Sequence, residues 1–129
     1  MERLMSLLRG VGIAAYFLLA DTVWITQFAT NQYSQQLGDM LKMAEGPKLL
    51  IGLVAAYALL LVGLFVFVLT PDTGLLKSVL FGMVVYGVYG FTNWLILDRW
   101  SIELVMVDFL WGGFLYGSSA YLARLINYL

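Results

Sequence analysis

The stretch LLIGLVAAYALLLVGLFVFVL, residues 49–69, decides how the rest of the chain is read. It carries no charge, and Tyr57 is its one polar side chain. A hydrocarbon core about 30 Å thick is crossed by about 20 apolar residues rising 1.5 Å each in a helix. Lipid offers no partner to backbone N–H and C=O groups, so a run of this kind is predicted to be a transmembrane helix. Working outward, residues 10–28, 78–97 and 104–123 read as three further spans of similar length. The breaks agree, with Gly46 and Pro47 before the second span and Pro71, Asp72 and Gly74 before the third. The expectation is an all-α, integral membrane four-transmembrane-helix bundle filling residues 1–129 as a single transmembrane domain.

Composition points the same way. The chain is 62% hydrophobic and 12% charged over 129 residues, with a mean hydropathy of +0.89. Soluble domains carry about a quarter charged residues. The net charge of −1 supplies neither a basic patch nor an acidic tail, so nucleic acid is not an expected partner. The chain has no Cys and no His. Disulfides, thiolate metal sites, His-ligated haem and imidazole acid–base chemistry are thereby excluded, and no metal or cofactor is expected.

Residues 29–45 form the one long connection. They are polar and Gln-rich, but Tyr33, Leu37, Met40 and Leu41 recur at helical spacing, which predicts a short amphipathic interfacial helix between helices 1 and 2, or an outward extension of the first span. Arg3 and Arg9 precede an apolar run ending at Ala20, as in a signal peptide. That run continues past Asp21 and Thr22 through Val23, Trp24 and Ile25, so cleavage is not expected. Arg3, Arg9, Lys77 and Arg124 fall on the side of both termini; Lys42, Lys48 and Arg99 fall on the other. The termini are read as cytoplasmic. A balance this even also allows insertion in both directions and antiparallel dimers.

The polar residues inside the spans carry whatever chemistry there is. Asp21 and Asp108 lie in the first and fourth spans, and a charge at the bilayer centre costs at least ~2.5 kcal/mol. Counted along the helices, Asp21, Asp108 and Asn93 fall roughly 12, 9 and 7 Å from the surface opposite the termini, so they share one layer. Asp21 and Trp24 are three residues apart, as are Asp108 and Trp111, and each pair projects from one helix face. The repeated D-x-x-W in oppositely directed helices is compatible with inverted pseudo-symmetry. No Lys or Arg within the spans is placed to neutralise the two carboxyls, which leaves a shared proton or a bound cation. The competing reading is helix-packing glue, with Asp21 and Asp108 hydrogen-bonded to Asn93, Thr92, Tyr89 or a Trp indole. In the fourth span Gly112, Gly113 and Gly117 stand beside Ser118, Ser119 and Ala120. The G-x-x-x-G of Gly113 and Gly117 marks close helix packing, internal or homo-oligomeric. Tyr86, Tyr89, Trp94, Trp100 and Tyr128 lie toward span ends and are read mainly as interfacial anchors.

The motifs D21-T-V-W24, Y33-S-Q-Q-L-G-D-M-L41, Y89-G-F-T-N93 with W100 downstream, and D108-F-L-W-G112 resemble the successive motifs of one family. It comprises small membrane proteins of bacteria, some algae and large viruses, catalogued as domain-of-unknown-function family 2177. The resemblance covers nearly the whole chain and implies four helices and a set of polar positions, without an established activity. The family's third-helix motif reads Y-D-x-T-N, whereas this chain has Gly90 in place of the acid.

Three functions of different classes follow. The first is a carrier-like protein with an intramembrane polar site for a small ligand, proton or cation. Its candidates are Asp21, Trp24, Tyr57, Tyr89, Thr92, Asn93, Asp108 and Trp111, and four-helix multidrug exporters are a fold-level analogy only. The second is a non-catalytic accessory or structural subunit of a membrane assembly, in contact with lipids and a partner or a second copy. The third, ranked last, is a lipid-acting intramembrane enzyme, because two carboxylates can do acid–base work but the G-x-G-D pattern of intramembrane aspartyl proteases does not occur.

Overall fold

The computed structural model describes residues 1–29, 35 and 45–129. Among the described residues four α-helices of 18 or more residues follow in chain order: α1 (Glu2–Trp24), α2 (Gly46–Gly63), α3 (Leu75–Ile96) and α4 (Ile102–Leu125). α1 and α2 each run on into a π-helical turn, Ile25–Ala29 and Leu64–Val68. α1 starts at Glu2 rather than near residue 10, so Arg3 and Arg9 ride on its first turns. The expected interfacial helix, with Tyr33, Leu37, Met40 and Leu41, lies outside the described residues.

Local chemistry sets the ends. Pro47 stands in the first turn of α2, where its missing N–H costs nothing. The connection to α3 is tied by Thr73, whose hydroxyl donates to the Phe67 carbonyl at 2.9 Å while its N–H donates to Thr70 Oγ1 at 3.2 Å. Ser101 caps α4, accepting from the Leu104 N–H at 3.2 Å. At the far end of α4, Asn127 takes a positive φ of 59°. The Tyr128 and Asn127 N–H groups then return to the Ala123 and Arg124 carbonyls, a Schellman closure.

α3 and α4 form the closest pair, antiparallel and in contact along most of their length. Their backbones meet where Gly82 faces Gly112, and a Cβ on Gly82 would sit 1.9 Å from the Gly112 oxygen. Below that point Gly113 and Gly117 receive Met83 and Val79; above it Gly87 receives Phe109, and Gly90 lies against Val105. The G-x-x-x-G of α4 is thus used inside the chain. α1 crosses the other side of α4, with the Tyr16 hydroxyl donating to Ser118 Oγ at 2.6 Å. The core among these helices holds Ile13, Phe17, Leu64, Leu115, Tyr116 and Ala120. Tyr116 stands at its centre, edge-on to Phe17 and Phe81 at 5.0 and 5.1 Å, with its hydroxyl on the Leu60 carbonyl at 2.9 Å.

α2 is held differently. Its close packing is confined to the π-helical turn, which lies against α3 and α4, and Gly63 is its one buried residue. The body of α2 leans away, leaving Leu50, Ile51, Val54 and Leu59 more than 60% exposed. Both termini and the α2–α3 connection gather at one end, where Arg9 donates to the Asn127 carbonyl and Arg124 to that of Thr73.

Three of the four helices, not all four, are long and apolar enough to cross a membrane: Glu2–Gln27, Gly46–Val68 and Leu75–Ile96. α4 has the length but carries Asp108, Ser118, Ser119 and glycines along a body that holds more buried residues than any other described helix.

Candidate functional site

Asp21 sits one turn before α1 changes from α- to π-helical hydrogen bonding. The Ile25 N–H at that junction points to the carbonyls of both Asp21 and Thr22, and Thr26 Oγ1 also bonds the Thr22 carbonyl at 2.8 Å. Such π-helical turns recur at functional positions because they re-aim the side chains beside them. Here Asp21 is turned into the bundle, with 2% of its surface exposed.

Two donors converge on a single oxygen of its carboxyl group. Tyr86 of α3 brings its hydroxyl to Oδ1 at 3.1 Å, and Trp111 of α4 brings its indole N–H to the same atom at 3.0 Å. The Tyr57 hydroxyl of α2 also reaches the Asp21 side chain. Every partner that the described residues give Asp21 is therefore a neutral donor. A carboxylate offers about four lone-pair sites, so this arrangement leaves capacity for another group.

Trp24, one turn past Asp21, lies flat on Trp111, with ring centroids 4.5 Å apart and planes inclined by 4°. The two D-x-x-W motifs interlock across the helices: the tryptophan of the second stacks on that of the first and bonds its aspartate. Asp108, 3% exposed, lines the same cavity as Tyr89, and Asn93 lies one turn from Tyr89 on α3.

In front of these groups lies a cavity of about 490 Å³. α1 contributes Asp21, Trp24 and Ile25; α3 contributes Val85, Tyr86 and Tyr89; α4 contributes Asp108. The α2 wall is Leu53, Ala56, Tyr57, Leu59 and Leu60. The cavity lies beside the part of α2 that, among the described residues, packs least closely on α3 and α4. Its walls are aliphatic and aromatic, its polar groups are two carboxyls and three phenols, and no Lys or Arg is among the described lining residues.

Of the sequence-predicted site residues, Asp21, Trp24, Tyr57, Tyr89 and Asp108 line this one space. Trp111 supports Asp21 from behind it, and Asn93 lies one turn from Tyr89 without lining the cavity. Thr92 is on the exposed side of α3, because one residue along a helix turns a side chain by about 100°. Tyr86, expected as an interfacial anchor, instead points inward to Asp21. Trp100 is also interior, packed on Leu104 and Val105 and edge-on to Tyr89. Tyr128 packs on Phe65 and against Gly10. A signal for Tyr86 was present in its spacing: it lies one turn from both Gly82 and Gly90, on the buried stripe of α3. At Gly90, where the family motif has an acid, an added Cβ would meet Val105 at 3.3 Å. This chain thus uses the position for close approach of α3 to α4.

Among the described residues no group of three or more His, Cys, Asp or Glu side chains converges. No curated protein and no solved structure matches the chain. Residues 7–125 match the family described as predicted membrane protein (DUF2177), and the chain belongs to it.

Proposed function

We propose that this protein crosses the membrane four times and holds, behind α2, an intramembrane site for a small ligand or proton, with Asp21 as its polar centre. One observation carries this reading: a buried carboxyl group, bonded only to neutral donors, stands at the wall of a 490 Å³ cavity. A group serving only as packing glue would fill its surroundings, because empty space beside a buried polar side chain forfeits contacts and contributes nothing. A membrane-embedded carboxyl group must carry a proton or a counter-cation, and either is what a carrier-like protein exchanges.

α4 is the fourth span on this reading. Its 24 residues rise about 36 Å, enough for the hydrocarbon core. α1 and α3 cover its sides, so it does not need the apolarity of a lipid-facing helix, and its small residues are what close packing in a membrane selects. The apolar outer faces of α1, α2 and α3 match what lipid contact requires and by themselves point to no protein partner.

The test is covalent. Dicyclohexylcarbodiimide is apolar and reacts with protonated carboxyl groups, so in lipid nanodiscs it should modify Asp21, and Asp21→Asn should remove that adduct from the mass spectrum. Absence of the adduct in nanodiscs, with labelling of the same residue after unfolding, would make Asp21 a packing group and overturn the proposal.

A further inference from the structure

The chemistry of the cavity walls narrows the ligand class. We infer that the cavity takes an organic cation with an apolar body, a protonated amine or an onium ion, which enters from the lipid beside α2 and is balanced by Asp21. The inference rests on the proposed ligand site and adds three observations to it.

The first is charge. Asp21 draws hydrogen bonds from Tyr86 and Trp111, both neutral, so no cationic group among the described residues balances an ionised Asp21. Asp108 on the same wall adds a second acidic group. Among the described lining residues an anionic ligand would meet acidic side chains and no Lys or Arg.

The second is the kind of cation. Calcium and magnesium require six or more oxygen ligands in a compact shell, whereas this lining offers carboxyl oxygens from two residues among Leu53, Ala56, Leu59, Leu60 and Val85. The remaining polar lining consists of phenols on aromatic rings, with Trp24 beside them. Aromatic faces attract organic cations and tolerate their apolar substituents. A space of about 490 Å³ lies within the range of small-molecule sites, roughly 300–1,000 Å³.

The third is the route. Among the described residues α2 is held mainly toward its π-helical end, where Leu60 and Leu61 pack on the core and the Tyr116 hydroxyl bonds the Leu60 carbonyl. Leu53 and Leu59 line the cavity and are 48% and 72% exposed. On the proposed membrane arrangement this apolar α2 wall is the side of the cavity turned toward lipid.

Tetraphenylphosphonium and tetraphenylborate have nearly the same shape and opposite charge, and this pair separates the hypotheses. Two of the four tryptophans, Trp24 and Trp111, report on the site. A second cavity of about 480 Å³, at the end holding both termini, is lined by Arg3 and has no tryptophan, so binding there appears in dialysis but not in the tryptophan signal. The full-length protein in zwitterionic nanodiscs is titrated with each probe, following tryptophan fluorescence and equilibrium dialysis. Saturable phosphonium binding should be weakened at least tenfold by Asp21→Asn, and the borate should leave the tryptophans unchanged. Ala56→Phe fills the cavity from α2 without touching a carboxyl group, and should abolish binding while the protein remains monodisperse. Equal response to both probes, no saturable phosphonium binding, or full binding by a folded Ala56→Phe variant would overturn the inference. A carbodiimide adduct on Asp21 without phosphonium binding would leave the ligand site standing and reject only the ligand class.

Discussion

Gly82→Ala places one methyl group where two helices have no room for it. Its Cβ would stand 1.9 Å from the Gly112 carbonyl oxygen and 3.0 Å from the Tyr116 ring, against a practical lower limit of 3.0 Å. Relief requires α3 and α4 to part by about 1.1 Å at their crossing, because the obstructing atom is backbone and cannot rotate away. That separation would loosen the contacts of Gly113 with Met83, of Gly117 with Val79 and of Gly87 with Phe109 together. Overpacking of ordinary cores costs about 1–3 kcal/mol, and a backbone clash at a shared hinge of contacts belongs at about 3 kcal/mol or above. In a domain of this size that lowers the melting temperature by about 10 °C. The assay is thermal unfolding in mild detergent, followed by tryptophan fluorescence and loss of the monodisperse gel-filtration peak. Gly52→Ala and Gly12→Ala are the controls, since a Cβ there meets nothing within 4 Å. They should melt at or slightly above the parent, because Ala is favoured over Gly in a helix by about 1 kcal/mol. A Gly82→Ala protein that melts with those controls would refute the close crossing of α3 and α4, and with it the placement of Tyr86 beside Asp21.

Two further perturbations separate the site from its scaffold. Tyr86→Phe removes one of the two donors on Asp21 Oδ1 and should cost about 1 kcal/mol, some 3–5 °C in the same melt. Thr92→Ala, on the outer face of α3, should change neither the melt nor phosphonium binding; equal effects from the two would mean that the inward face of α3 is misassigned. Tyr116→Phe removes the bond to the Leu60 carbonyl, so hydrogen exchange in nanodiscs should quicken along Gly46–Gly63 while α3 and α4 keep their protection. Uniform quickening of all four helices would show that this hydroxyl serves the whole core rather than fastening α2.

The helical class, the segments and the identity of the buried acids were legible because each depends on a few residues in a row. An uncharged run at residues 49–69 has one stable form in lipid whatever surrounds it. Asp21 and Asp108 announce themselves by the cost of placing them there, and the repeated D-x-x-W puts each acid and its tryptophan on one face. Tyr86 was misread because position near a span end says nothing about direction. A tyrosine at that depth serves equally well as an outward anchor or an inward donor, and the stripe Gly82–Tyr86–Gly90 becomes meaningful only once α4 is known to lie on it. α4 itself was read as a span like the others, although its small and polar residues reflect a helix covered on several sides.

The sequence by itself determined that this chain is helical, that it carries segments able to cross a membrane, and that two of its helices hold an acid and a tryptophan one turn apart. Hydrophobic transfer and backbone hydrogen bonding act over such short windows, so a local pattern suffices for both. Only the tertiary structure decided that Trp111 serves the aspartate of the other motif, that Gly113 and Gly117 are consumed within the chain, and that α2 stands away to leave a cavity before Asp21. Those outcomes depend on which helix faces which, and at what distance. They are set by the mutual fit of Gly82 with Gly112 and of Tyr116 with Leu60, contacts between residues thirty or more positions apart that no window of sequence contains.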